Sequence, residues 1–167
     1  PITLCQAAAP FTVTFRIENE PDGADATNDA CGGVAVNYDL QNDNINLLGN
    51  SVSSNFTWQA VNNGSVTGES TSLQTGNIID DLITNVSGVD QNVVYTVTPT
   101  NDVNNCEGDP FEITFRVDSQ PLGGDDIEET CSNVGLAIDL QANVNGIGGN
   151  SVPSTFTWIA SDNPDPN

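Results

Sequence analysis

Basic residues are almost absent from this chain of 167 residues: it has two, Arg16 and Arg116, with no Lys and no His. Against them stand 23 Asp and Glu, for a formal net charge of -21. Binding a phosphate backbone takes Lys and Arg to neutralise the phosphates, so nucleic acid is excluded as a partner. An anionic membrane surface is excluded on the same ground. Without His or Lys the usual general bases are missing, and so are triads built on His. Carboxylates are so plentiful that no one pair singles out a glycosidase. No glycine-rich phosphate loop follows a strand. No catalytic residue is assigned, and the expectation is a protein that is not an enzyme. No apolar run approaches the roughly 20 residues of a spanning helix, so no membrane insertion is expected. No signal-peptide pattern and no sustained helical periodicity are visible. The opening Pro1-Ile-Thr-Leu-Cys5 reads as the middle of a longer polypeptide.

What the chain does have is alternation and repetition. In Phe111-Glu-Ile-Thr-Phe-Arg-Val117 apolar and polar residues alternate, the period-two pattern of a half-buried strand. The same sentence stands one hundred residues upstream as Phe11-Thr-Val-Thr-Phe-Arg-Ile17, and the two arginines occupy matching places in it. Setting each residue against the one a hundred further on aligns Phe11–Ala60 with Phe111–Ala160 without a gap, and about 21 of the 50 positions are identical. Asp39-Leu-Gln41, Gly49-Asn-Ser-Val52 and Phe56-Thr-Trp58 all recur in this way, and Cys31 falls on Cys131. Cys5 and Cys106 match after a shift of one residue.

A repeat of about 100 residues suits a β-sandwich. Pro21 and Pro121 follow the recurring strand and Gly23 and Gly123 come just after, which suggests linkers. Residues 1–20 then hold the closing strand of one repeat, 21–120 a complete one, and 121–167 the first part of a third. Within 21–120, strands are expected at Val34–Leu40, Phe56–Ala60, weakly at Ser65–Ser70, at Ile79–Thr84, at Val93–Thr98 with Pro99 stopping the ladder, and at Phe111–Val117. The expected fold class is all-β: tandem immunoglobulin-like β-sandwich domains. Trp58 sits mid-strand between apolar neighbours and reads as core, with Tyr95, Phe111 and Phe115. A solvent-exposed Trp58 would instead suit a sugar-stacking platform.

The succession Tyr95-Thr-Val-Thr-Pro99, Cys106-Glu-Gly-Asp-Pro-Phe111, the strand to Val117, Pro121, a Cys and Phe-Thr-Trp resembles the PKD-like domains of giant surface adhesins. Such domains occur in tandem in Bacteroidetes-type bacteria, whose adhesins leave by type IX secretion. The resemblance implies an immunoglobulin-like repeat of an extracellular, cell-surface stalk or filament that spaces a distal binding region from the cell. Its partners would be neighbouring repeats of the same chain, with surface polysaccharide or other cells as adhesion targets. The alternative is a carbohydrate-binding module of a secreted polysaccharide-acting protein. No catalytic residues come with the family.

Two chemical expectations remain. Asp22, Asp25 and Asp29 follow Pro21, Asp125 and Asp126 follow Pro121, and Asp109 lies in a loop that could approach a junction. Calcium takes six to eight oxygen ligands from such loops, so it is the one cofactor the sequence suggests, although EF-hand spacing is absent. Four cysteines without His point to disulfides and an oxidising setting. If the first strand of the repeat is Val34–Leu40, Cys31 enters at the end that holds Cys106, and Cys31–Cys106 closes within one domain. If 22–30 is itself a strand, Cys31 lies at the far end and the cysteines staple neighbouring repeats. The poverty of 22–30 in strand formers favours the first arrangement. Arg116 is expected to pair with a carboxylate such as Asp39.

Overall fold

The structure, a computed structural model, describes residues 9–161. Ten strands follow in chain order: β1 (Ala26–Ala30), β2 (Val34–Ala35), β3 (Tyr38–Asp39), β4 (Ser54–Ala60), β5 (Val66–Thr67), β6 (Gln74–Thr75), β7 (Ile78–Ile79), β8 (Leu82–Asn85), β9 (Gln91–Asn101) and β10 (Phe111–Val117). A π-helical turn at Leu40–Ile45 separates β3 from β4, and a short helix, α1 (Leu140–Gly146), stands a hundred residues after that turn. The main sheet runs in the order β1-β10-β9-β4-β6; β2-β8-β5 and β3-β7 form smaller sheets. Their inner faces meet in one core, so the fold is all-β and immunoglobulin-like.

The alternation in β10 settles which side of it is inside. Phe111, Ile113, Phe115 and Val117 are buried, while Glu112 and Arg116 are exposed. In β4, Phe56, Trp58 and Ala60 are likewise buried. Trp58 is only 4% exposed and meets Tyr95 edge to face at 5.7 Å between ring centres. Tyr95 meets Phe115 in the same way, and Phe115 meets Tyr38, so the aromatics form a continuous T-shaped chain through the core. Trp58, Tyr95, Phe111 and Phe115 are all buried.

Four local expectations are corrected. First, 22–30 holds a true strand: β1 pairs with β10 in parallel register, from Ala26 opposite Ile113 to Ala30 opposite Val117. Its residues are poor strand formers, but it is an edge strand whose inward Ala26, Asn28 and Ala30 are only partly covered, so pairing with β10 overrides propensity. Second, Val34–Leu40 is not one strand. Asn37 takes a left-handed φ of 47° between β2 and β3, and Leu40 already begins the helical turn. That turn is six residues long, too short to print a helical period on the sequence. Third, Pro99 does not stop β9, which runs on to Asn101. The carbonyl of Pro99 accepts from Gly108 N–H, so its missing donor faces the hairpin side and leaves the ladder to β4 intact. Fourth, Phe11–Ile17 is not in a strand, and Phe11, Phe15 and Ile17 are more than four-fifths exposed. No sheet lies beside that segment among the described residues, and a lone amphipathic strand has nothing to bury its apolar face against.

Candidate functional site

The most developed polar construction is the joint by which the incoming segment Asn19–Ala24 is tied to the sandwich. Asp39 starts it by accepting hydrogen bonds from the Gln41 and Asn42 N–H groups at the N-terminus of the helical turn. Those hydrogen bonds, Asn42 N–H first, hold the Asp39 carboxyl below its ordinary pKa. Gln41 then bridges the turn to the next strand, donating to the Val52 carbonyl and accepting from Ser54 N–H at 2.9 Å. This framework fixes Asn44 and Asn50, whose side-chain amides treat the linker as a neighbouring strand would. Asn50 accepts from Asp22 N–H at 3.1 Å and donates to the Glu20 carbonyl at 2.8 Å. Asn44, fully buried, accepts from Ala24 N–H at 3.0 Å and donates to its carbonyl at 2.7 Å. Asn101 donates to the Asn19 carbonyl from the other side. Gly23 passes so close to the Phe111 ring and the Asn44 side chain that a Cβ there would collide with both.

The same bonds stand about a hundred residues on. Asp139 caps Gln141 and Ala142, and Gln141 bridges to Val152 and Ser154. Asn143 clasps Gly124 through both its N–H and its carbonyl at 3.0 Å, and Asn150 accepts from Leu122 N–H and donates to the Gln120 carbonyl. This second linker is also held from behind. Asp118 N–H bonds to the Ala30 carbonyl, Ser119 N–H to Asp90 at 3.1 Å, and the Gln120 side chain to the Gly32 carbonyl. A segment pinned on both sides at successive residues has little freedom to bend.

Sequence reasoning missed Asn44, Asn50 and Asn150. The recurrence of Gly49-Asn-Ser-Val52 marked Asn50 and Asn150, but Asn44 was hidden. An ungapped match sets it against Val144, because a π turn in one unit and an α turn in the other shift the clasping amide by one position.

The residues expected to bind calcium are not gathered. Asp25 accepts from Glu112 N–H at 2.8 Å, Asp29 pairs with Arg116, and Asp126 accepts from Ile127 N–H. Asp22, Asp109 and Asp125 are exposed, and among the described residues no three His, Cys, Asp or Glu side chains come together to hold a metal ion. Local backbone donors and the one nearby cation draw these carboxylates apart. Arg116 does not meet Asp39, whose oxygens already cap the turn. It lies among Asp29 at 3.3 Å, Asp118 at 3.6 Å and Asp90 at 4.0 Å. Nor does Cys31 meet Cys106: both are free thiols, as is Cys131, while Cys5 lies outside the described residues. The parallel β1 carries Cys31 to the Val117 end of β10, and Cys106 precedes the Phe111 end. Tyr95 is fully buried. Its hydroxyl donates to Asp81 at 2.7 Å, and Asp81 also takes the Ser70 N–H and hydroxyl. Burial, then that carboxylate, pushes the Tyr95 pKa up.

A hollow of about 580 Å³ lies over Gly123, Asn143, Val144 and Phe156. A hundred residues upstream, the Phe111 ring and the Asn44 side chain pack against Gly23. Trp158 is 77% exposed. A family model described as PKD-like domain matches residues 28–121.

The chain belongs to the PKD-like domain family. No curated protein and no solved structure matches it. PKD-like domains are generally non-catalytic and typically extracellular. No helix among the described residues is long and apolar enough to cross a membrane. The matched span begins within β1 and ends at Pro121, so it takes in the core and the outgoing linker.

Proposed function

We propose that this chain is a run of tandem structural repeats from an extracellular adhesin stalk or surface filament, holding a distal binding region away from the cell. The observation that carries the reading is the linker clasped by side-chain amides, built in the same way at Asn50 and at Asn150. A domain that only had to bind a ligand would need no such joint, whereas a spacer works by keeping each unit at a set angle to the next. Each repeat buries its own core, and mutual repulsion among units of net negative charge favours an extended array. A Bacteroidetes-type source and export by type IX secretion belong to the same proposal and rest on the sequence resemblance. The burial of Trp58 supports the spacer reading over the carbohydrate-binding alternative.

The test is the shape of the parent polypeptide and the behaviour of its joints. Electron micrographs should show straight rods whose length grows by one unit per repeat. In the 167-residue chain, Asn150→Leu should speed hydrogen exchange at Leu122 N–H while leaving β9 and β10 protected. Freely bending beads, or saturable retention of the chain on a polysaccharide, would refute the spacer role.

A further inference from the structure

We propose that Cys31 forms a disulfide with the cysteine at the Cys106 position of the following repeat, stapling the joint across residues 119–121. This rests on the tandem reading above and adds a covalent element to it. A bridge from Cys31 to Cys106 of the same unit is ruled out by topology. β1 runs parallel to β10, so the two thiols are separated by the length of Phe111–Val117, about 20 Å at strand rise. A disulfide tolerates no more than about 7 Å between Cα atoms.

Each thiol nevertheless stands beside a linker. At the outgoing end, Gly32, next to Cys31, accepts from Gln120, and Ala30 on the other side of Cys31 accepts from Asp118 N–H. At the incoming end, the hairpin that carries Cys106 touches the preceding linker twice: Asn101 bonds to the Asn19 carbonyl, and Gly108 packs against the Pro21 carbonyl. Asn19 and Pro21 correspond to Ser119 and Pro121. One linker of three residues therefore has the Cys31 loop on one side and, in the next repeat, the Cys106 hairpin on the other. The amide clasps hold that linker in one pose, so the two loops keep the same places beside it from joint to joint. Neither cysteine is buried; Cys31 recurs at the repeat spacing as Cys131, and Cys106 has a counterpart in Cys5 one residue off that spacing.

Chemically, two S–H bonds are lost and one S–S bond forms. The two electrons and two protons pass to a disulfide donor of the thiol–disulfide oxidoreductase class, which leaves as a dithiol.

The experiment has two arms. In the 167-residue chain, purified without reductant and alkylated in denaturant, Cys31 and Cys106 should both be labelled; a peptide joining them to each other would overturn the proposal. In the parent polypeptide from the cell surface, alkylated first and then cleaved at acidic residues, the Cys31 peptide should be joined to the Cys106-type hairpin peptide of the next copy. Alkylated Cys31, or Cys31 joined to any other cysteine, would overturn it. The spacer reading fails separately, by rods that do not lengthen with repeat number, whatever the thiols do.

Discussion

Asp81 is the side chain whose loss the core should feel most sharply for its size. It sits between β7 and β8 and accepts three hydrogen bonds, from Ser70 N–H, the Ser70 hydroxyl and the Tyr95 hydroxyl. Ser70 is only partly covered and can turn to water. Tyr95 is fully buried and cannot. Asp81→Ala therefore leaves a buried hydroxyl without a partner, at about 1–3 kcal/mol, in addition to roughly 1 kcal/mol for the Ser70 bonds. In a Tyr95→Phe background the orphan no longer exists, so the same substitution should cost only about 1 kcal/mol. A double-mutant cycle by urea unfolding, followed by Trp58 fluorescence with Trp158→Phe to remove the exposed emitter, should give a coupling of about 1–3 kcal/mol. Costs that add within about 0.5 kcal/mol would refute the reasoning. Alkaline titration reads the same contact. The folded state raises the Tyr95 pKa, so its contribution is fully present below the unfolded value near 10 and is lost as pH rises above it. Tyr95→Phe should lack that part of the alkaline loss.

Trp58→Ala removes the ring at the centre of the aromatic chain and should cost about 3–5 kcal/mol in the same unfolding assay. Asp39→Ala should cost about 1 kcal/mol through the lost cap. Because the folded state lowers the Asp39 pKa, that contribution is present above about pH 4 and fades on acidifying through the folded value, so variant and parent stabilities should converge in acid. Arg116→Ala should change stability by less than about 1 kcal/mol, with the difference shrinking in salt, since the Arg116 side chain is 53% exposed among its three carboxylates. With the linker carboxylates dispersed, the melting midpoint of the 167-residue chain should be the same in calcium and in chelator; a rise in calcium would restore a metal site.

Sequence alone determined the class of fold and the face each long strand turns inward. Alternation in Phe56–Ala60, Val93–Val97 and Phe111–Val117 leaves only one apolar side to bury, so the aromatic core follows from pattern. It also marked the repeat and, through the missing His and Lys, removed most catalytic chemistry. Tertiary structure decided the rest wherever a residue answers to a partner distant in the chain. β1 is a strand because β10 offers it an edge, not because Ala-Thr-Asn-Asp-Ala favours one. That parallel pairing in turn sends Cys31 to the far pole from Cys106. Asn44 and Asn50 look like ordinary loop residues until the chain brings Ala24 and Asp22 against them. Asp25, Asp29 and Asp39 are equivalent as charges in a sequence, yet one meets a strand amide, one a guanidinium and one a helical turn. Periodicity records which side of an element is apolar; it carries no record of which backbone amide a carboxylate or side-chain amide will meet, because that depends on which distant segments the core brings together.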